Sequence, residues 1–121
     1  MRVIIAGSRS IIDPQLVAAA VESSGFDITN VISGGAHGVD RLGEDWARAH
    51  GVSLTVFSAD WKMHGKAAGP IRNEEMARHA DALIAVRQGG ESSRGTTHMI
   101  ETARKKGIPV YVHEVSVGAA E

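Results

Sequence analysis

The chain has no cysteine, which excludes disulfides, thiolate zinc sites, iron–sulfur clusters and a cysteine nucleophile. Net charge is nearly absent: thirteen Lys and Arg stand against fourteen Asp and Glu, a formal −1. A surface that attracts duplex nucleic acid or anionic membrane as a whole needs a large positive excess, so any anion site here must be local. Aromatic residues are scarce, with two Trp, two Phe and one Tyr. Together with the charge, this argues against a single-strand groove, which uses cations and stacking rings in series. No long uncharged apolar run occurs and mean hydropathy is −0.07, so no membrane-spanning helix is expected. The opening Met1-Arg2-Val3-Ile4-Ile5 reaches a glycine turn too soon to hold the apolar region of a signal peptide, which favours a cytoplasmic setting. A length of 121 residues predicts a single core.

Glycine is in excess, at fourteen residues, about twice the average usage of roughly 7%. Its placement follows a repeated pattern of strand, glycine turn and helix. Val3-Ile4-Ile5-Ala6 is a short β-branched run without alternation, as in a strand covered on both faces, and it ends at Gly7-Ser8-Arg9. Asp13-Pro14 opens a helix that Gly25 closes. Val31-Ile32 predicts a second strand, ending in Ser33-Gly34-Gly35-Ala36-His37-Gly38, and a helix over 39–50 follows, with Val39, Leu42, Gly43, Trp46 and Ala47 on one face and Trp46 in the core. Leu54, Val56 and Phe57 mark a third strand. Residues 58–69 show no periodicity and read as a loop, long enough to suspect a function. Pro70 opens the next helix, residues 82–86 form a fourth strand, 97–106 a helix, and Val110-Tyr111-Val112 a fifth strand. This alternation predicts an α/β three-layer Rossmann-like sandwich with a parallel sheet of about five strands, spanning residues 1–113, with a frayed tail over 114–121.

In such a sheet the loops after the strands share the carboxyl edge, where ligands bind. Gly7, Gly34, Gly35, Gly38, Gly65, Gly69, Gly89, Gly90 and Gly95 fall there, and the helix starts that follow offer N–H groups to an anion. No turn matches G-x-G-x-x-G or the Walker pattern, which argues against a dinucleotide oxidoreductase or a P-loop ATPase. Arg9, Lys62, Lys66, Arg72 and Arg94 lie on or beside the same edge, either as phosphate partners or as solvated surface charge. Ser8, Ser33, Thr96 and Thr97 supply hydroxyls, and for the two threonines helix capping is the competing role. Asp40 and Glu44 read either as ribose contacts or as ordinary first-turn acids. Trp61, near Asp60, His64 and Lys66, either stacks on a base or anchors the loop. The six histidines show no ligand spacing, so no metal or other cofactor is expected, while His37 and His64 lie in edge loops.

Ser33-Gly34-Gly35-Ala36-His37-Gly38-Val39-Asp40, followed by Arg72-Asn73-x-x-Met76, Ala80-Asp81-Ala82-Leu83-Ile84-Ala85 and Gly90…Gly95-Thr96, resembles the SLOG superfamily of Rossmann-like proteins. That superfamily joins the lonely-guy proteins to the Smf/DprA DNA-processing proteins. Ala59-Asp60-Trp61…His64-Gly65-Lys66…Ala68-Gly69-Pro70…Arg72-Asn73 is most similar to the small single-domain YspA/YpsA-related branch of bacteria and phages. The resemblance implies a site for a nucleotide or nucleotide-derived small molecule, held as a sensor, carrier or sequestering protein, and a homodimer. In lonely-guy enzymes the reaction is hydrolysis of the N-glycosidic bond of a nucleoside monophosphate. Their catalytic arginine corresponds to Arg72, but their catalytic glutamate corresponds to Met99, and four residues separate Gly90 from Gly95 where their motif has one. A carboxylate for that chemistry would have to come from Asp60, Glu75, Glu91 or Asp40. The Smf/DprA likeness of Ser33-Gly34-x-Ala36-x-Gly38-Val39-Asp40 implies single-stranded DNA as a further ligand class. The site expected from all this comprises Arg72, Asp60 and Glu75 as catalytic candidates. Its binding residues are Gly7, Ser8, Arg9, Ser33, Gly34, Gly35, Ala36, Gly38, Asp40, Trp61, Lys66, Arg72, Asn73, Gly90, Gly95, Thr96 and Thr97.

Overall fold

The apolar run near the start of the chain is buried on both sides, as a strand inside a parallel sheet must be. In the computed structural model, which describes residues 1–89 and 94–115, it forms β1 (Arg2–Gly7). Four strands run parallel to it: β2 (Asn30–Ser33), β3 (Ser53–Val56), β4 (Ala82–Gln88) and β5 (Val110–Val115), in the order β3-β2-β1-β4-β5. The helices are α1 (Pro14–Ser24), α2 (Val39–Ala49), α3 (Trp61–His64), α4 (Ala68–His79) and α5 (Arg94–Lys105), with a 3₁₀ turn at Gly65–Ala67 between α3 and α4.

Alternation along the central strands sorts the core into two layers. Val3, Ile5, Val31, Ile84 and Val86 join Val17 and Ala20 of α1 and Val39 and Ala47 of α2. Ile4, Ala6, Ile32, Leu83 and Ala85 face the other way, with Met76 and Ala77 of α4 and Met99 and Ala103 of α5. The chain thus folds into the three-layer Rossmann-like sandwich that its periodicity predicts. Local chemistry ends the elements where expected: the Asp13 carboxylate accepts from the Gln15 N–H at 3.0 Å, Pro14 starts α1, and Gly25 closes it in the left-handed region at φ 70°.

β1 pairs with β2 on one side and β4 on the other, so the chain reverses direction across the sheet at β1. Beyond the carboxyl ends of β1 and β4, connections leave toward opposite faces and open a crevice. Gly7 closes β1 against β4, since a Cβ there would collide with the Val86 carbonyl oxygen. Ser8 continues the tie: its N–H donates to Val86 O at 3.0 Å, its hydroxyl accepts from Gln88 N at 3.1 Å, and its carbonyl accepts from Val39 N at 3.1 Å.

The structure corrects four element readings. Residues 58–69 are not an open loop: Asp60 caps α3 by accepting from Met63 N at 3.1 Å, and α4 begins at Ala68, two residues before Pro70. The indole of Trp61 lies beside Gly69, 3.5 Å from where a Cβ would stand, an ordinary packing distance. Helix α5 begins at Arg94, three residues earlier than expected, so Gly95, Thr96 and Thr97 occupy its first turn rather than a cap. β5 continues through Glu114 and Val115 instead of fraying from residue 114, with Gly89 N donating to Val115 O at 2.6 Å. Trp46 is half-buried, packs as expected against the core layer of Val39 and Ala47, and stacks on His50 at 4.4 Å between ring centroids.

Among the described residues no helix is long and apolar enough to cross a membrane.

Candidate functional site

A cavity of about 720 Å³ occupies the crevice, within the usual size of small-molecule sites. The ends of β1 and β2, the segment after β3 and the first turns of α4 and α5 all contribute to it. The structure brings together Gly7, Arg9, Gly34, Gly35, Ala36, Asp40, Trp61, Lys66, Arg72, Asn73, Gly95 and Thr96 of the expected site. Ser8 and Ser33 are fully buried beneath the cavity rather than in its wall. Gly38 lies under it against the Ser8–Arg9 backbone, and Thr97 is exposed on the outside of α5. Asp60 and Glu75 are also exposed and line no part of the cavity. The segment after β3 turns Asp60 to its own helix cap, and α4 faces inward with Asn73 and Met76 instead of Glu75. Gly90 and Glu91 lie outside the described residues. His37 lines the cavity while His64 and Lys62 do not. Among the described residues no three metal-ligating side chains come together.

The β2–α2 turn was expected to offer its N–H groups to a phosphate. Three of its donors, at Gly34, Gly35 and Ala36, are engaged within the chain. Ala36 N donates to Asp40 Oδ2 at 3.2 Å, the Gly34 N–H also faces the Asp40 carboxyl, and Gly35 N donates to the Ser33 hydroxyl at 3.1 Å. Ser33 in turn donates to the buried Glu44 carboxylate at 2.7 Å. The chain's own Asp40 carboxyl therefore takes two of the N–H groups that an anion at this turn would use. Arg72 closes the arrangement from α4: its Nη1 donates to Gly34 O at 2.6 Å and its Nε donates to Asn73 Oδ1 at 3.1 Å. Nη2 of the fork has no protein acceptor among the described residues. Gly34 is compressed between the two charged groups, where a Cβ would come 2.8 Å from Arg72 Nη1 and 3.0 Å from Asp40 Oδ2.

Burial dominates both partners' ionisation. It raises the Asp40 pKa above 3.8, against the lowering effect of the Ala36 N–H and the Arg72 charge. It lowers the Arg72 pKa, with the Asp40 charge opposing. The folded chain therefore holds a proton on Asp40 at pH values where the unfolded chain has released it. The stability this contributes is fully present below pH 3.8 and is lost as pH rises through the folded Asp40 value. Asp81 runs the opposite way. The Arg2 N–H, at 2.7 Å, lowers its pKa, so its contribution is present above 3.8 and is lost as pH falls through the folded value. Denaturant unfolding of the wild type and Asp40→Asn across this range isolates the first effect. The stability difference is expected to shift against the wild type with rising pH, by about 1.4 kcal/mol per unit of pKa displacement. A difference independent of pH would show that Asp40 ionises normally.

The cavity is otherwise cationic. Arg9, Lys66, Arg72 and Arg94 face it, and Asp40 is the one carboxylate among its described lining residues. Trp61, 61% exposed, stands at its edge. Met99 is buried in the wall and carries no charge. His98 belongs to the lining as well, and the sequence held no sign of it, because its partners lie on α4 and within α5.

Comparison with known proteins agrees with this architecture. A solved structure, DNA processing protein A (DprA) from Streptococcus pneumoniae, superposes with a TM-score of 0.72 at 16% identity, covering 98% of this chain. The chain spans about half of that one (51%), and the likeness is one of fold. The Gene 61 protein of Mycobacterium phage D29 is 40% identical over 119 residues, covering 90% of this chain and 93% of the relative. Residues 1–64 match the model of a family described as YspA, cpYpsA-related SLOG. On a family match over more than half of its length, the chain belongs to the YspA, cpYpsA-related SLOG family.

Proposed function

We propose that the protein binds a nucleotide or nucleotide-derived small molecule in the crevice at the carboxyl edge of the sheet. The observation that carries this reading is the convergence of four cations and one exposed indole on a single cavity of about 720 Å³. The phosphate lies at the first turn of α5, where Gly95 and Thr96 begin the helix and Arg94, Arg9 and the unused Nη2 of Arg72 supply positive charge. Asp40, already holding the β2–α2 turn, faces the ribose hydroxyls as an acceptor, and Trp61 covers the base.

The test is native mass spectrometry of co-purified small molecules, combined with thermal unfolding against a panel of nucleoside mono- and diphosphates. A true ligand at a hundred times its Kd stabilises by about 2.7 kcal/mol. The absence of both a nucleotide-sized mass and any stabilising panel member would overturn the reading. Asp40 also favours a second reading, hydrolysis of the N-glycosidic bond, because it is the one carboxyl among the cavity's described lining residues and burial shifts its pKa upward, in the direction a general acid for a departing base requires. Chromatography for free base after incubation with the panel decides it, and release that survives Asp40→Asn would remove Asp40 from that role. Single-stranded DNA is separated from both by gel shifts at low and physiological salt, since strand binding falls steeply with salt.

A further inference from the structure

Asn73 is 4% exposed, and each end of its amide is committed. Arg72 Nε can only donate, so the Asn73 atom facing it at 3.1 Å must be the carbonyl oxygen. The amide nitrogen then points the other way, to Gly95 O at 3.4 Å and His98 Nδ1 at 3.2 Å. An amide N–H meets the imidazole only as a donor, so His98 Nδ1 must be the acceptor and carries no hydrogen. The ring proton of the neutral imidazole then resides on Nε2. The chain of constraint runs from the guanidinium through a buried amide to the tautomer of a histidine one helical turn after Arg94.

We infer that His98 is a ligand-binding residue of the cavity, donating through Nε2–H to a phosphoryl oxygen held at the start of α5, and that Asn73 is the positioning residue that fixes its tautomer. His98 is half-buried and lines the cavity that Arg72 and Arg94 also face. Among the described residues the other polar contact of its ring is Thr102 Oγ1, 3.4 Å from each nitrogen. That is the outer limit of a hydrogen bond, so a ligand oxygen can replace it at a shorter distance. On its outer side the ring borders a small surface hollow shared with Glu74, Glu101, Lys105 and Lys106.

This inference rests on the proposed anion site, and the experiment separates the two. In the free protein at neutral pH, long-range ¹H–¹⁵N spectra of the imidazoles are expected to show His98 as the Nε2–H tautomer. Asn73→Asp keeps an acceptor for Arg72 Nε but replaces the N–H facing His98 with an oxygen, so His98 should change to the Nδ1–H form or the imidazolium. An Nδ1–H tautomer or imidazolium in the wild type, or no change in the variant, would overturn the positioning role. Titration with inorganic phosphate is expected to move the His98 ring resonances together with the amides of Gly95 and Thr96. Affinity for phosphate should fall about tenfold in His98→Gln and in Asn73→Asp, the loss of one good hydrogen bond. Movement of the α5 amides with an unmoved His98 and unchanged affinity in His98→Gln would overturn the ligand role alone. If no resonance responds to phosphate, the anion site itself fails and the ligand role falls with it.

Discussion

Arg72→Ala is expected to weaken binding of the ligand identified by the nucleotide panel about a hundredfold, equivalent to about 2.7 kcal/mol. A partly buried guanidinium facing a phosphate makes charge-assisted hydrogen bonds in a setting where water competes poorly. The substitution also leaves Gly34 O and Asn73 Oδ1 without their donor and Asp40 without its nearby positive charge. A loss of stability of about 1–2 kcal/mol should therefore accompany the loss of binding. Arg72→Lys separates the two roles: it retains a positive charge but cannot reach Gly34 and Asn73 with one rigid fork, so its affinity should be intermediate. Calorimetric titration of the three proteins, with denaturant unfolding of each, provides the measurement. Wild-type affinity in Arg72→Ala would remove Arg72 from the site.

Gly38→Ala should lower the melting temperature by about 10–20 °C, the consequence of losing roughly 3–4 kcal/mol. Two causes add at this position. Gly38 has φ 76° and ψ −128°, a backbone conformation that a side chain resists. Its Cβ would also run into Ser8 O and approach Arg9 Cα to 2.6 Å, and these are backbone atoms that cannot rotate away. Gly25 provides the control, since it has φ 70° but nothing within 4 Å of a Cβ. Gly25→Ala should cost about 1 kcal/mol, the conformational part alone. Equal melting temperatures for the two variants would show that the β1 and β2 turns can separate at little cost. Because this contact forms the floor of the cavity, any Gly38→Ala protein that folds should also bind the nucleotide ligand more weakly.

The layers of the fold were legible because their cause is periodic. Val3 to Ala6 carry no polar partner on either side, and only a strand between two helical layers buries such a run. Asp13-Pro14 and Gly25 act within a few residues of themselves, so α1 could be delimited from the chain alone. Residues 58–69 were not legible. A four-residue helix has too few positions to show a period, and α3 is held by its Asp60 cap and by the packing of Trp61 beside Gly69. The strands also placed most of the site, because carboxyl-edge loops must share one end of a parallel sheet. The carboxylates were harder: Asp40, Asp60 and Glu75 are equivalent candidates in the chain, yet only Asp40 lies in the cavity wall.

Composition, strand periodicity and the glycine turns thus sufficed for the three-layer fold, the edge that carries the site and the cations around it, because each depends on residues near in sequence. Which donors remain available to a ligand depends on contacts between distant segments. Arg72 reaches Gly34 across 38 positions, Asn73 reaches His98 across 25, and Gln88 N reaches Ser8 across 80. Those pairings exist only after the sheet has brought its strand ends together. They bring Arg72 onto the β2–α2 turn, whose Gly34, Gly35 and Ala36 N–H groups are already engaged by residues within six positions, and they bring His98 into the cavity wall.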